Sequence, residues 1–194
     1  MDKSPTIDAH GLGPVSDWVK RWSHLVPPGG SVLDIACGRG RHVKWFASRG
    51  HAVTGVDRSA EAIQAVAGVG EAVFADIENN PWPLMNGERI RQFSAVVVTN
   101  YLWRPLFPVI VQSVAPGGIL IYETFSQGNE TVGKPSNPEF LLRPAELLQT
   151  LATMRIIGFE EGFLEDPPRF VQRIVTAQPD LDGSADEPPA RYPL

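Results

Sequence analysis

Ser31-Val32-Leu33-Asp34-Ile35-Ala36-Cys37-Gly38-Arg39-Gly40-Arg41-His42-Val43 decides how the chain is read. Residues 31–36 are apolar and β-prone and enter a turn made by Gly38 and Gly40; the residues that follow read as a helix through Ser48, ended by Gly50. The pattern then repeats. Residues 52–57 form a second strand, Ser59 caps a helix through Val66, and residues 72–76 form a third strand. After a proline-rich connection, residues 94–99 carry the continuous apolar run of a strand covered on both faces. Pro105 opens the next helix, and residues 117–123 are a fifth strand. Upstream, residues 15–26 read as a helix with Ser16 as cap and Trp18, Val19, Trp22 and Leu25 on one face. Strands alternating with helices imply a parallel, doubly wound sheet. The last third differs: residues 144–152 read as a helix, and residues 154–159 and 170–177 as strands. The ten residues between those strands cannot hold a crossover helix, so they should pair as an antiparallel hairpin. The expected fold is α/β: a doubly wound sheet of seven strands, five parallel plus a C-terminal antiparallel hairpin.

Composition bounds the function. With 194 residues the chain has the length of one domain plus extensions. Seventeen basic residues against 22 acidic ones give a net charge of −5, which argues against a nucleic-acid partner. Cys37 is the sole cysteine, so a disulfide scaffold is excluded and a reducing cytoplasmic location is the expectation. No apolar run approaches the roughly 20 residues that span a bilayer, and the first residues lack a signal peptide's apolar stretch. The expected organisation is a flexible N-terminus over residues 1–14, a domain over 15–177 and a disordered, acidic, proline-rich tail over 178–194.

In an open α/β sheet the ligand sits beyond the carboxyl ends of the strands. The glycine turn there is not a dinucleotide fingerprint, because Val43 occupies its third glycine position and Asp34 would repel a diphosphate. A carboxylate beside a glycine turn suits a cationic ligand such as S-adenosylmethionine, which has an ammonium, a sulfonium and no phosphate. Asp57, 19 residues beyond Gly38, can accept both hydroxyls of a ribose, or it is a helix-start acid. Asp76 and Ile77 end the third strand, where an acid can meet an adenine amino group and its apolar neighbour can cover the ring; a plain surface turn is the alternative.

With these residues in hand, the sequence resembles the class I S-adenosylmethionine-dependent methyltransferases. The resemblance rests on residues 32–40, on Gly55-Val56-Asp57, on Ala75-Asp76-Ile77 and on Val114-Ala115-Pro116-Gly117-Gly118-Ile119-Leu120. It covers roughly residues 30–177 and implies a Rossmann-like fold. By that resemblance Asp34 and the backbone of Ala36, Cys37, Gly38 and Gly40 hold the methionine end of the cofactor. Asp57, with Arg58 beside it, takes the ribose; Asp76 and Ile77 take the adenine. Asn100 lines the floor below the sulfonium, and His42 either touches the cofactor or only opens its helix. The product would be S-adenosylhomocysteine.

The acceptor side is less defined. Asn100-Tyr101-Leu102-Trp103-Arg104-Pro105 keeps the asparagine of amino-group methylases without their two prolines. Tyr101 and Trp103 either shape a substrate pocket or pack in the core. Asn100, Tyr101 and Glu123 are the weak catalytic candidates; Glu123 is a general base or a buried acid paired with Arg104 or Arg143. The long segment 124–140 is expected over the substrate opening, with Asn129 and Arg143 as substrate contacts. Cys37 reads as a small turn residue, and Arg39, Arg41 and Lys44 as a solvated basic face. Four histidines without paired spacing predict no metal site. The expected activity is methyl transfer to a small-molecule acceptor. Two alternatives stand beside it: a non-catalytic S-adenosylmethionine-binding module of the same fold and a NAD-dependent oxidoreductase.

Overall fold

The computed structural model describes residues 13–180 and 190–194. Its strands are β1 (Ser31–Ile35), β2 (Ala52–Asp57), β3 (Glu71–Phe74), β4 (Met85–Asn86), β5 (Arg89–Ile90), β6 (Phe93–Thr99), β7 (Val114–Phe125), β8 (Arg155–Glu165) and β9 (Pro168–Ala177). Seven of them make one sheet in the order β3-β2-β1-β6-β7-β9-β8. The first five in that order run parallel; β9 is antiparallel to both β7 and β8. The expected seven-stranded architecture with its terminal hairpin is therefore present.

Alternation along the central strands gives each face its own core. Leu33, Ile35, Val96, Val98, Leu120 and Tyr122 point to one face, where α4 (Phe107–Gln112) and α5 (Glu146–Thr150) cover them. Val32, Ala95, Val97, Ile119 and Ile121 point to the other, under α1 (Asp17–Trp22), α2 (Arg41–Ala47) and α3 (Ala60–Val66). Burial on both faces explains why β6 is a continuous valine-rich run.

Several local readings change. β3 ends at Phe74, because the Asp76 carboxylate accepts from the N–H groups of Glu78 and Asn79 and turns the chain out of the ladder. The proline-rich connection contains the small hairpin β4–β5, turned at Gly87 with φ +62°. β8 and β9 extend past the expected limits and leave only a tight connection between them. The helices are shorter than their spacing suggests; α1 passes into a 3₁₀ turn at Ser23–Leu25.

Of the expected termini, residues 1–12 and 181–189 lie outside the described residues. Gln178 exchanges backbone hydrogen bonds with Gly117 and Gly118. Tyr192 packs on the core beside Ala177 with the Arg155 guanidinium 5.2 Å from its ring. No helix among the described residues is long and apolar enough to cross a membrane.

Candidate functional site

At the carboxyl end of β1 the backbone turns sharply: Ala36, Gly38 and Gly40 take left-handed φ values of +52°, +53° and +75°. A Cβ on Gly40 would lie 2.6 Å from Val66 Cγ2, so only glycine fits between the turn and α3. Asp57 ties this turn to β2. Its Oδ2 accepts from Gly38 N–H at 2.9 Å and its Oδ1 from Ser59 N–H at 2.8 Å. Each oxygen keeps a further lone pair, so the carboxylate can still receive two hydroxyl groups. Cys37 is buried, donates its N–H to Val56 O, and has its thiol pushed up by burial and by Asp34 and Asp57. It is an inert packing residue in the turn.

Beside β3 stand Asp76, Ile77 and Glu78. Asp76 also accepts from Asn79 Nδ2 at 2.8 Å, and hydrogen bonding holds its pKa below the usual range. Ile77 is buried. Arg58 lies 3.6 Å from Glu78. The Tyr101 hydroxyl is buried without a hydrogen-bond partner of good geometry; burial first, and then the Glu78 charge, raise its pKa. The structure thus brings Arg58, Asp76 and Tyr101 to the same end of the sheet. Asn100, exposed and at φ +54°, donates its N–H to Glu123 O. Trp103 is half-buried against the α4–α5 core.

Asp34 is 1% exposed, and its Oδ2 has no hydrogen-bond partner among the described residues. Burial is the main cause that raises its pKa from 3.8 to about 7; Arg41 opposes this, and Asp57 adds to it. His42 Nδ1 lies 3.9 Å from that oxygen. Burial, aided by Arg41, lowers the histidine to about 3, so the ring is neutral. Ser16 N–H donates to His42 Nε2 at 3.3 Å, which puts the ring proton on Nδ1, facing Thr99 Oγ1 at 3.5 Å. His42 is thus a buried brace for the segment before α1 as well as a neighbour of Asp34.

A polar row crosses the sheet in register beyond it: Thr99 of β6, Glu123 of β7, Arg173 of β9 and Glu160 of β8. Arg173 holds Glu160 at 2.5 and 2.8 Å and reaches Glu123 at 3.5 Å, while its guanidinium lies 5.0 Å from the Trp18 ring. Ser16 Oγ donates to Glu123 Oε1 at 3.2 Å. Glu123 is 3% exposed.

Several expectations change here. The partner of Glu123 is Arg173, not Arg104 or Arg143. Those two converge on Glu146, where their hydrogen bonds outweigh burial and hold the carboxyl down at about 2. Arg143 therefore braces α5, in the layer behind the sheet. Asn129 is 1% exposed; its Nδ2 donates to Pro135 O and its Oδ1 accepts from Phe170 N–H, so it pins its own loop to the hairpin. Arg41 leaves the expected solvated face: it is half-buried and donates to Pro14 O and Thr99 Oγ1. Arg39 does face outward and pairs with Glu61. Sequence reading missed Ser16 as a bridge and Arg173 altogether. The signal for Arg173 was an arginine at an inward position of a strand, between Val171 and Val175.

The site fits a cationic cofactor with a sugar diol: an orphaned buried carboxylate oxygen, a turn that permits close backbone approach, and a second carboxylate with free lone pairs. Residues 32–118 match the protein family described as "Methyltransferase domain". No curated protein matches the chain. Among solved structures, TehB from Haemophilus influenzae is similar at 17% identity with a TM-score of 0.67, covering 84% of this chain and 62% of its own. A SAM-dependent methyltransferase from Methanosarcina mazei is 16% identical, TM-score 0.61, covering 86% of this chain and 99% of its own. A TehB-like SAM-dependent methyltransferase from Corynebacterium glutamicum is 15% identical, TM-score 0.63, covering 86% and 90%. The chain spans less than two thirds of the Haemophilus protein. The chain is thus similar over residues 32–118 to the methyltransferase domain family, and it shares the fold of these S-adenosylmethionine-dependent methyltransferases.

Proposed function

We propose that the protein transfers a methyl group from S-adenosylmethionine to a small-molecule acceptor in the cytoplasm. The observation that carries this reading is the pair of carboxylates at the glycine turn. Asp34 is buried with a free oxygen, and Asp57 is anchored by two backbone N–H groups. Bound there, the cofactor supplies an electrophilic methyl group on a sulfonium. Asp34 accepts from the ammonium, which restores its charge despite burial. Asp57 accepts the ribose hydroxyls, Arg58 and Asp76 flank the adenine, and Ile77 covers its ring. Asn100 and Tyr101 follow directly on β6, where the acceptor must approach in line, and Trp103 closes the wall behind them. Alignment and exclusion of water, worth up to about 7–11 kcal/mol, are the main resources such a site needs.

Calorimetric titration with S-adenosylmethionine, S-adenosylhomocysteine and NADH tests the reading. The first two should bind, and Asp57→Ala should weaken them at least about tenfold, since one hydrogen-bonded charge contributes roughly 1.5–3 kcal/mol. Binding of NADH alone would overturn the proposal. Binding of S-adenosylmethionine without methyl transfer to any of a panel of thiols, amines and carboxylates would favour a non-catalytic module.

A further inference from the structure

Two guanidiniums and one carboxylate meet at the approach to α5, which leaves one positive charge over among the three. Glu146 accepts from Arg104 Nε at 2.7 Å, from Arg104 Nη2 at 3.0 Å and from the Arg143 backbone N–H at 2.8 Å. The Arg143 guanidinium reaches the same carboxylate only at 3.4 and 3.5 Å, through Nε and Nη2, and its Nη1 donates to no described residue. Arg104 has all three nitrogens engaged, since Nη1 donates to Glu139 O at 2.7 Å and Nη2 also to Leu141 O at 2.9 Å. Arg104 and the backbone of Arg143 therefore carry the brace on α5. The Arg143 fork, 68% exposed, is surplus to it.

A cavity of about 270 Å³ opens beside this fork, lined by Arg104, Gln127, Pro138, Glu139 and Arg143. Pockets for small molecules start at roughly this size. Backbone pairing sets its walls. Ser126 and Leu142 form a parallel bridge, with Gln127 N–H donating to Leu142 O at 2.9 Å and Leu142 N–H to Phe125 O at 3.0 Å. Gln127 and Arg143, each the next residue in its segment, therefore stand side by side. The Gln127 side-chain amide makes no hydrogen bond to a described residue. A free amide donor beside a surplus guanidinium fork, with a proline as apolar wall, is a donor set for a carboxylate. We propose that this cavity binds a small organic monocarboxylate, held by the Arg143 guanidinium and the Gln127 amide. Glu139 lines the same cavity with a carboxylate that has no described hydrogen-bond partner, so it opposes a second negative charge on the ligand. The cavity lies where the segments after β6 and β7 come together, the side from which the acceptor approaches. On the reading of the preceding subsection, on which this last step rests, the bound carboxylic acid is the acceptor.

The full chain is titrated at neutral pH with benzoate and with benzamide, its uncharged counterpart of the same shape. Arg143→Gln, Arg143→Lys and Glu139→Gln are compared with the wild type, each checked by thermal melting. Benzoate should bind at least about tenfold more tightly than benzamide, the worth of one charge-assisted hydrogen bond. Arg143→Gln should bring the two within about twofold, and Arg143→Lys, which keeps the charge and loses the fork, should fall between. Glu139→Gln, which removes a negative charge from the wall, should tighten benzoate by about two- to fivefold. Benzoate no tighter than benzamide, an unchanged preference in Arg143→Gln, or weaker benzoate binding in Glu139→Gln overturns the carboxylate site. The titration is repeated with saturating S-adenosylhomocysteine. Benzoate should bind equally well, because an acceptor and the spent cofactor occupy the protein together, and mutual exclusion overturns the placement on the acceptor side. Wild-type protein that binds benzoate and no S-adenosylhomocysteine overturns the cofactor reading and leaves the carboxylate site standing.

Discussion

Asp57 finds Gly38 19 residues away and Ser59 two residues away, and both partners are backbone N–H groups. Glu123, at the same edge of the same sheet, reaches Arg173 across 50 residues and Ser16 across 107. The β1–β2–β3 half of the carboxyl edge is built from turns that organise themselves locally. The β6–β7–β9–β8 half is built from side chains that meet only after the whole sheet has assembled. Local turn chemistry positions groups for a ligand at small cost. The long-range row instead holds α1 and the terminal hairpin against the sheet, so its members are already committed to one another. Asp34 and Arg41 lie on the boundary: Asp34 keeps one oxygen without a hydrogen-bond partner among the described residues, and Arg41 donates to a carbonyl and a hydroxyl.

The largest expected effect is at that boundary. The folded Asp34 carboxyl keeps its proton to about pH 7, whereas its unfolded value is 3.8. The folded state therefore binds more protons between these values, and stability falls as pH rises from about 4 to 7. Asp34→Asn mimics the protonated form. At pH 8, without added ligand, it should stabilise the protein by roughly 3–4 kcal/mol and remove that part of the pH slope. It should also abolish S-adenosylmethionine binding. Denaturant titrations at pH 5 and pH 8 measure this; an unchanged slope in the variant would mean Asp34 is ionised in the folded protein.

Next come single deletions in each half. Arg173→Met leaves Glu123, 4% exposed at its side chain, with only the Ser16 hydroxyl. The expected cost is about 2–3 kcal/mol, below the roughly 3–5 of a fully buried pair because Arg173 retains some exposure and its contact to Glu123 is long. Asp57→Ala removes two backbone caps and should cost about 1–1.5 kcal/mol. Equal losses in the two variants, read from unfolding free energies, would erase the distinction between local and long-range construction.

The same distinction sets what could be read before folding. Gly38, Gly40 and Asp57 announce their roles because a glycine turn after an apolar run has few other uses, and the partners lie within one βαβ unit. The parallel strands and the terminal hairpin followed too, since alternating elements imply βαβ units and a short connection implies antiparallel pairing. Glu123 was visible as a strand-end acid, but choosing Arg173 over Arg104 or Arg143 requires the β7–β9 register, which pairs Glu123 with Arg173. Arg41 looked solvated because its neighbours Arg39 and Lys44 are charged. Its burial depends on Pro14 and Thr99, 27 and 58 residues away. Asn129 looked like an open contact because its loop is polar, yet Phe170 N–H, 41 residues on, claims its side chain.

Ala36 offers the finest test of how far the turn is shaped for its ligand. Its φ of +52° lies in the left-handed region, which an alanine enters at a cost of roughly 1–2 kcal/mol and a glycine enters freely. The turn keeps that strain between Asp34 and Gly38, held by the Cys37 N–H bond to Val56 O at 3.1 Å. Ala36→Gly should relieve it and stabilise the protein by about 1 kcal/mol after the extra freedom of the unfolded glycine is counted. Glycine would also loosen the turn in the folded protein. If the strained alanine serves to hold the backbone ready for the methionine end, the more stable variant should bind S-adenosylhomocysteine two- to threefold more weakly. Methylthioadenosine, which does not reach that part of the turn, should show no change. Higher stability with unchanged affinity for both would make Ala36 a packing choice, and preorganisation would then rest on Gly40 and Asp57 alone.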